Sequence, residues 1–186
     1  MTQTSGISIK NIILTGMFTA IICVLSQVII PLQPVPFSLS LLAIYLTGAL
    51  LEPRYALSSA LAYVILGAFG LPVFAGFAGG PHILTGMTGG FIMAYPVMAL
   101  VTSVFYKLSK KFRSVLYIGL PVLGMTLSLI LCYLLGTLWF CFVTKSSAAY
   151  ALSVCVLPFI VFDLIKILMA VAIAEVLRKA AVKILA

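Results

Sequence analysis

The chain has 186 residues, 64% of them hydrophobic and 8% charged, with a mean hydropathy of +1.32. This composition excludes a soluble globular domain and predicts one compact bundle of membrane helices, with no length for a second domain. The net charge of +8 comes from eleven basic residues against three acidic ones, with no basic stripe interleaved with aromatics, which excludes nucleic acid as a partner.

Residues Met1 to Ser8 are polar, and Lys10 opens the first predicted span, Asn11 to Ile30. At about 20 apolar residues that run exceeds a signal-peptide core, and no small-residue cleavage site follows it. It contains Gly16 and Ala20, small residues four apart, which let a second helix approach closely. That helix belongs either to the same bundle or to a separate subunit. Pro31, Pro34 and Pro36 then prevent helix and predict a stiff, extended connection.

The second span, Phe37 to Leu51, and the third, Tyr55 to Phe69, are both short, separated by a turn at Glu52-Pro53-Arg54. From Gly70 to Phe91 the sequence reads GLPVFAGFAGGPHILTGMTGGF, too rich in glycine to pack as a stable helix. Irregular backbone at membrane depth survives only when protein buries it or it lines a cavity, so this stretch is predicted to be a structured lid or re-entrant loop. His82, the only histidine, lies here as an exposed loop residue, with no second His or Cys at a spacing that would hold a metal. The four cysteines form no CxxC and read as small buried hydrophobes with free thiols.

The fourth span runs from Thr88 to Tyr106, and the basic cluster Lys107, Lys110, Lys111 and Arg113 follows it. The fifth is Val115 to Val143, with a bend expected at Pro121 and Gly124. The sixth, Tyr150 to Leu177, is taken as one continuous helix ending in Arg178, Lys179 and Lys183. The fold class is therefore an all-α integral membrane protein of six transmembrane helices. With both termini cytoplasmic, nine basic residues fall inside and only Lys145 outside, in accord with the positive-inside bias. The structured loop between the third and fourth spans is then extracellular.

Asp163 and Lys166 are the only charges in the middle of the sixth span. At a helix centre each carries an insertion penalty of about 2.5 to 3.5 kcal/mol. Three residues apart, they share a helix face and can reach each other. The pair is read as a polar ligand site; an ion pair that only joins helices is the plainer alternative, weakened because such pairs add little net stability. Tyr45, Tyr95 and Trp139 are candidate aromatic walls, or else core and interfacial rings. The backbone N–H groups opening the fourth span at Thr88, Gly89 and Gly90 are candidate donors to a ligand oxygen. Catalysis is not expected: there is no carboxylate pair, HExxH, GxSxG or P-loop.

The run from Pro34 to Phe91, together with the Phe162-Asp163-Leu164-Ile165-Lys166 stretch, resembles the biotin-specific substrate-binding (S) components of energy-coupling-factor transporters. The combination of GLPVF, the glycine-rich LTGMTGG loop and the D..K spacing carries the resemblance. It implies a multi-pass protein of the bacterial plasma membrane that captures biotin, with no cofactor. It also implies a membrane scaffold subunit and two cytoplasmic ATP-binding-cassette ATPases as partners, with Gly16 and Ala20 facing the scaffold.

By the same resemblance Phe37, Ser38, Thr88, Gly89, Gly90 and Phe91 join Asp163, Lys166, Tyr45, Tyr95 and Trp139 as ligand-binding residues. Two motifs depart from the family pattern. Ser38-Leu39-Ser40 stands where Thr-Leu-Gln is common, and Gly86-Met87-Thr88-Gly89-Gly90-Phe91 where Gly-Pro-Thr-Gly-Gly-Tyr is common. Asp163 suits a ureido N–H and Lys166 a ligand oxygen; the swap, with Lys166 on the valerate carboxylate, is the alternative orientation. Residues 31–36 and 70–86 are expected to act as gates. The rival reading is a stand-alone proton-coupled secondary transporter with Asp163 as proton carrier.

Overall fold

The computed structural model describes residues 9–30, 37–112 and 115–185, with side chains up to Lys179. The predicted proline-rich connection, 31–36, lies outside the described residues, as do residues 1–8 and Arg113. The helices in chain order are α1 (Ile9–Ser26), α2 (Ser40–Leu50), α3 (Pro53–Ala68), α4 (Pro81–Thr85), α5 (Gly89–Ser109), α6 (Leu116–Thr144), α7 (Ala148–Cys155) and α8 (Ile160–Leu185). Two short strands, β1 (Ile29–Ile30) and β2 (Phe37–Ser38), pair antiparallel with Ile29 opposite Ser38.

The ends follow local chemistry. Pro53 starts α3 at a position whose N–H would have no helical partner anyway. Lys145 ends α6 in the left-handed region at φ 54°. The Ser147 hydroxyl caps α7 by accepting from the Tyr150 N–H at 3.3 Å.

Helices α2 and α5 form the centre. Helix α2 packs on α1, α3, α5 and α8, and α5 packs on α2, α3 and α6. Their approach is close: a Cβ on Gly48 of α2 would lie 2.6 Å from the Thr102 Cβ and 2.8 Å from the Ala99 carbonyl oxygen of α5. Gly90 has the same role between α5 and α6, where a Cβ would overlap the Cβ of Trp139 and sit 3.0 Å from the Leu135 carbonyl oxygen. Gly90→Ala is therefore expected to lower stability by about 1–3 kcal/mol, because the α6 backbone and the half-buried Trp139 side chain must both give way. Thermal unfolding in detergent would show it; an unchanged midpoint would mean that the two helices do not meet there.

Among the described residues, α1, α5 and α6 are long and apolar enough to cross a membrane, and α7 with α8 makes a bent fourth candidate. At 11 and 16 residues, α2 and α3 are shorter than the roughly 20 residues a full crossing needs. The sixth predicted span is not one helix: α7 and α8 meet at 51°. Pro158 stands in the gap, and it supplies no N–H and crowds the preceding turn. In contrast, α6 passes through Pro121 and Gly124 as one helix of 29 residues, where a bend is predicted.

The glycine-rich stretch is structured, as expected for backbone that must be satisfied internally. The Phe74 N–H donates to the Ala78 carbonyl at 2.9 Å, and the Gly80 N–H donates to the Gly67 carbonyl at 2.7 Å. The Phe74 ring is buried and meets Tyr63 edge-on at 5.5 Å. Gln27, just past α1, fastens the loop: its amide NH2 donates to the Val73 and Phe74 carbonyls, and its oxygen accepts from the Phe77 N–H at 2.8 Å.

Candidate functional site

The break before α8 determines where the charge pair sits. It places Asp163 in the first turn of α8, where the positive end of the helix dipole favours a carboxylate. The Lys166 Nζ donates to Asp163 Oδ1 at 2.8 Å, and the two residues are only 3% and 4% exposed. The Tyr133 hydroxyl, from α6, donates to Asp163 Oδ2 at 2.6 Å. Both carboxylate oxygens are thus engaged, each with a lone pair left for a ligand donor. The Lys166 ammonium also lies 3.9 Å from the centre of the Phe37 ring, a cation–π contact that partly replaces its lost hydration. An ammonium carries three donors, and Asp163 is its one acceptor among the described residues.

A cavity of about 60 Å³ adjoins this pair. Phe37, Leu41, Phe91, Tyr95, Tyr133 and Phe159 form its apolar and aromatic walls, with Ser38, Cys132 and Cys155 between them. Ser38, Phe91 and Tyr95 also line a second cavity of about 50 Å³, which reaches Thr88, Ser26 and Tyr63. Each holds only a few water-sized volumes. A ligand larger than a few waters needs the partition between them to move, and Phe91 and Tyr95 are the large side chains in it.

A chain of hydroxyls runs along the shared wall. Ser38 Oγ and Ser40 Oγ are 2.6 Å apart, and Ser40 Oγ and the Tyr95 hydroxyl 2.7 Å. Ser40 stands where the resemblance places a glutamine, so a short hydroxyl relay takes the position of a long amide. The site therefore combines a buried carboxylate and ammonium, a row of hydroxyls and an aromatic slot. Such a site orients a small, largely apolar ligand that has a polar edge.

The structure brings Asp163, Lys166, Phe37, Ser38, Phe91 and Tyr95 together around the larger cavity, and Thr88 to the smaller one. Others lie elsewhere. Trp139 lines neither cavity; its indole N–H donates to the Gly86 carbonyl at 3.0 Å and ties the loop to α6. Tyr45 is fully buried in the core and lines neither cavity. The Gly89 N–H is already engaged by the Gly86 carbonyl at 3.2 Å, and Gly90 faces α6. Gly16 and Ala20 line a different surface, a groove between α1 and α3.

Tyr133 and Ser40 were not singled out from the sequence. Ser40 sits two residues from Ser38 in the same Ser-Leu-Ser motif, and that spacing is a usable signal. Tyr133 is one ring in a long apolar run and gives none. Tyr133→Phe is expected to reduce stability by about 1.5–3 kcal/mol, because it removes a hydrogen bond to a buried carboxylate. Thermal unfolding measures this, and an unchanged midpoint would show that Asp163 does not depend on the tyrosine.

The chain matches the model of the BioY family over residues 1–183. It is 37% identical over 170 residues to the biotin transporter BioY of Thermotoga maritima, covering 91% of this chain and 96% of that protein. It is 36% identical over 169 residues to the probable biotin transporter BioY of Pyrococcus horikoshii, again over 91% and 96%. The crystal structure at 2.1 Å of the S-component for biotin from an ECF-type ABC transporter has the same fold, with a TM-score of 0.82 and 29% identity over 96% of this chain and 95% of that one.

Proposed function

The chain belongs to the BioY family, and from that premise we propose that it is a high-affinity biotin-binding membrane subunit of a vitamin uptake transporter. The observation that carries this reading is the buried Asp163–Lys166 pair bordering an aromatic cavity. Biotin matches that chemistry. Its fused rings suit a slot between Phe37, Phe91, Tyr95 and Phe159. Its ureido N–H groups suit Asp163, and its oxygens suit the spare Lys166 donors and the Ser38–Ser40–Tyr95 hydroxyls.

The proposal includes six membrane crossings in one transmembrane domain: α1, α2, α3, α5, α6, and α7 with α8 together. The basic ends of α5 and α8 lie in the cytoplasm and the Gly70–Gly86 loop outside, as a cover over the pocket. The setting is a bacterial plasma membrane. A membrane scaffold subunit and two ATP-binding-cassette ATPases supply the energy, with the scaffold seated on the α1–α3 groove at Gly16 and Ala20. The exposed Ile12 and Val24 along that groove support an apolar helix there.

A binding titration of the purified protein with biotin and with chemically unrelated vitamins tests the ligand. Biotin is expected to bind at least about 100-fold tighter, because a mismatched ligand leaves buried polar groups unpaired. Equal affinities would overturn the assignment.

A further inference from the structure

At the end of the bundle away from the pocket, a cavity of about 170 Å³ opens between the α2–α3 turn, the end of α5, and α8. Its lining includes Lys107, Lys110 and Arg178 with a single acid, Glu52. Among the described residues, the one ion pair is the distant Lys166–Asp163, so Glu52 neutralises none of these cations by direct contact. The Lys110 ammonium has its pKa lowered, first by partial burial and then by the Arg178 guanidinium, with Glu52 opposing.

Beneath the cations, Tyr106 lines the same cavity, 1% exposed, and its hydroxyl has no partner among the described residues. Arg178 fixes the geometry. Its guanidinium lies 4.5 Å from the centre of the Tyr106 ring and donates to the Ala49 carbonyl. Ser103 is not available, because its hydroxyl donates to the Leu51 carbonyl at 2.6 Å. Glu175, the other acid nearby, accepts from the Tyr117 hydroxyl at 3.3 Å.

We propose that this cavity binds the phosphate of an anionic lipid headgroup, held by Lys107, Lys110 and Arg178 and by a hydrogen bond from the Tyr106 hydroxyl. The volume is on the order of ten water positions, ample for one phosphate group. Three cations converging on one space repel each other until an anion enters, and an otherwise unpartnered buried hydroxyl gains an acceptor. A lipid is favoured over free phosphate because an apolar hollow on α8 (Ala172, Ile173, Val176, Leu177) begins one residue before Arg178, where an acyl chain can lie. Basic pockets between membrane helices bind acidic headgroups in this way.

The test is native mass spectrometry of the purified full-length protein, loaded with phosphatidylglycerol or with phosphatidylcholine. Wild type is expected to retain phosphatidylglycerol selectively. The Lys107→Gln, Lys110→Gln double variant is expected to lose retention about 30-fold, from about fivefold per cation at a membrane surface. Tyr106→Phe keeps every charge and is expected to lose about tenfold, as for a hydrogen bond to a charged group. In phosphatidylcholine alone Tyr106→Phe should unfold no earlier than wild type, which separates a binding defect from a folding defect. Retention by Tyr106→Phe equal to wild type would overturn the proposal and leave only diffuse surface attraction. So would stabilisation by added inorganic phosphate with no preference for phosphatidylglycerol. Binding at this end is independent of biotin, so failure here leaves the vitamin titration untouched.

Discussion

Lys166→Met alone is expected to destabilise the protein by about 3–5 kcal/mol, because it leaves the Asp163 carboxylate buried with only Tyr133 beside it. Asp163→Leu alone should do the same by stranding the ammonium. The double variant Asp163→Leu, Lys166→Met is expected to recover most of that loss, since an apolar pair of similar volume packs without desolvating charge. Biotin binding separates the two roles of the pair. If the pair binds ligand, all three variants lose affinity by about 100-fold or more, corresponding to one or two hydrogen bonds to charged groups. If the pair only joins helices, the double variant binds like wild type. Thermal unfolding and a biotin titration on the same four proteins decide it, and a double variant that is both stable and competent to bind would remove the pair from the site.

Gly16→Leu should leave biotin binding unchanged and abolish energised uptake. A Cβ at Gly16 meets nothing within 4 Å, so the larger side chain fits the isolated subunit. Its binding free energy should stay within about 0.5 kcal/mol, as for surface substitutions remote from any site. In the groove, however, a leucine occupies the place where a second helix would make its closest approach. Uptake of labelled biotin by cells carrying the scaffold and ATPases is expected to fall to the level of cells without them. Normal uptake by Gly16→Leu would move the scaffold contact away from α1.

The sequence announced the charge pair because charge in a long apolar run is costly and therefore visible. It announced the glycine-rich loop for a similar reason, since Gly70 to Phe91 holds too much glycine to pack as one stable helix in lipid. What stayed hidden depends on three-dimensional neighbours. Tyr133 and Tyr95 are chemically alike and both lie in apolar runs, yet only the packing of α6 against α8 gives Tyr133 a carboxylate. Trp139 looked like a pocket wall but serves a carbonyl of the loop, because the first turn of α5 crosses α6 at Gly90. Pro158 was a legible signal for the α7–α8 break that apolar continuity concealed. Pro96 and Pro121, inside α5 and α6, show why proline alone does not mark a break.

Gln27 gives the architecture a mechanical property. It lies just past α1, whose outer face carries Gly16 and Ala20, and its amide is hydrogen-bonded to three backbone groups of the loop beside the pocket. On the proposed function, docking on α1 and ligand entry beneath the loop would be strung on one tether. If a docked partner favours one position of that tether, ligand occupancy must change the partner's affinity by the same factor that docking changes the ligand's, since binding linkage is reciprocal. Capture and release of cargo would then be set by one amide at the junction of two surfaces, so the subunit would report its load to whatever grips it.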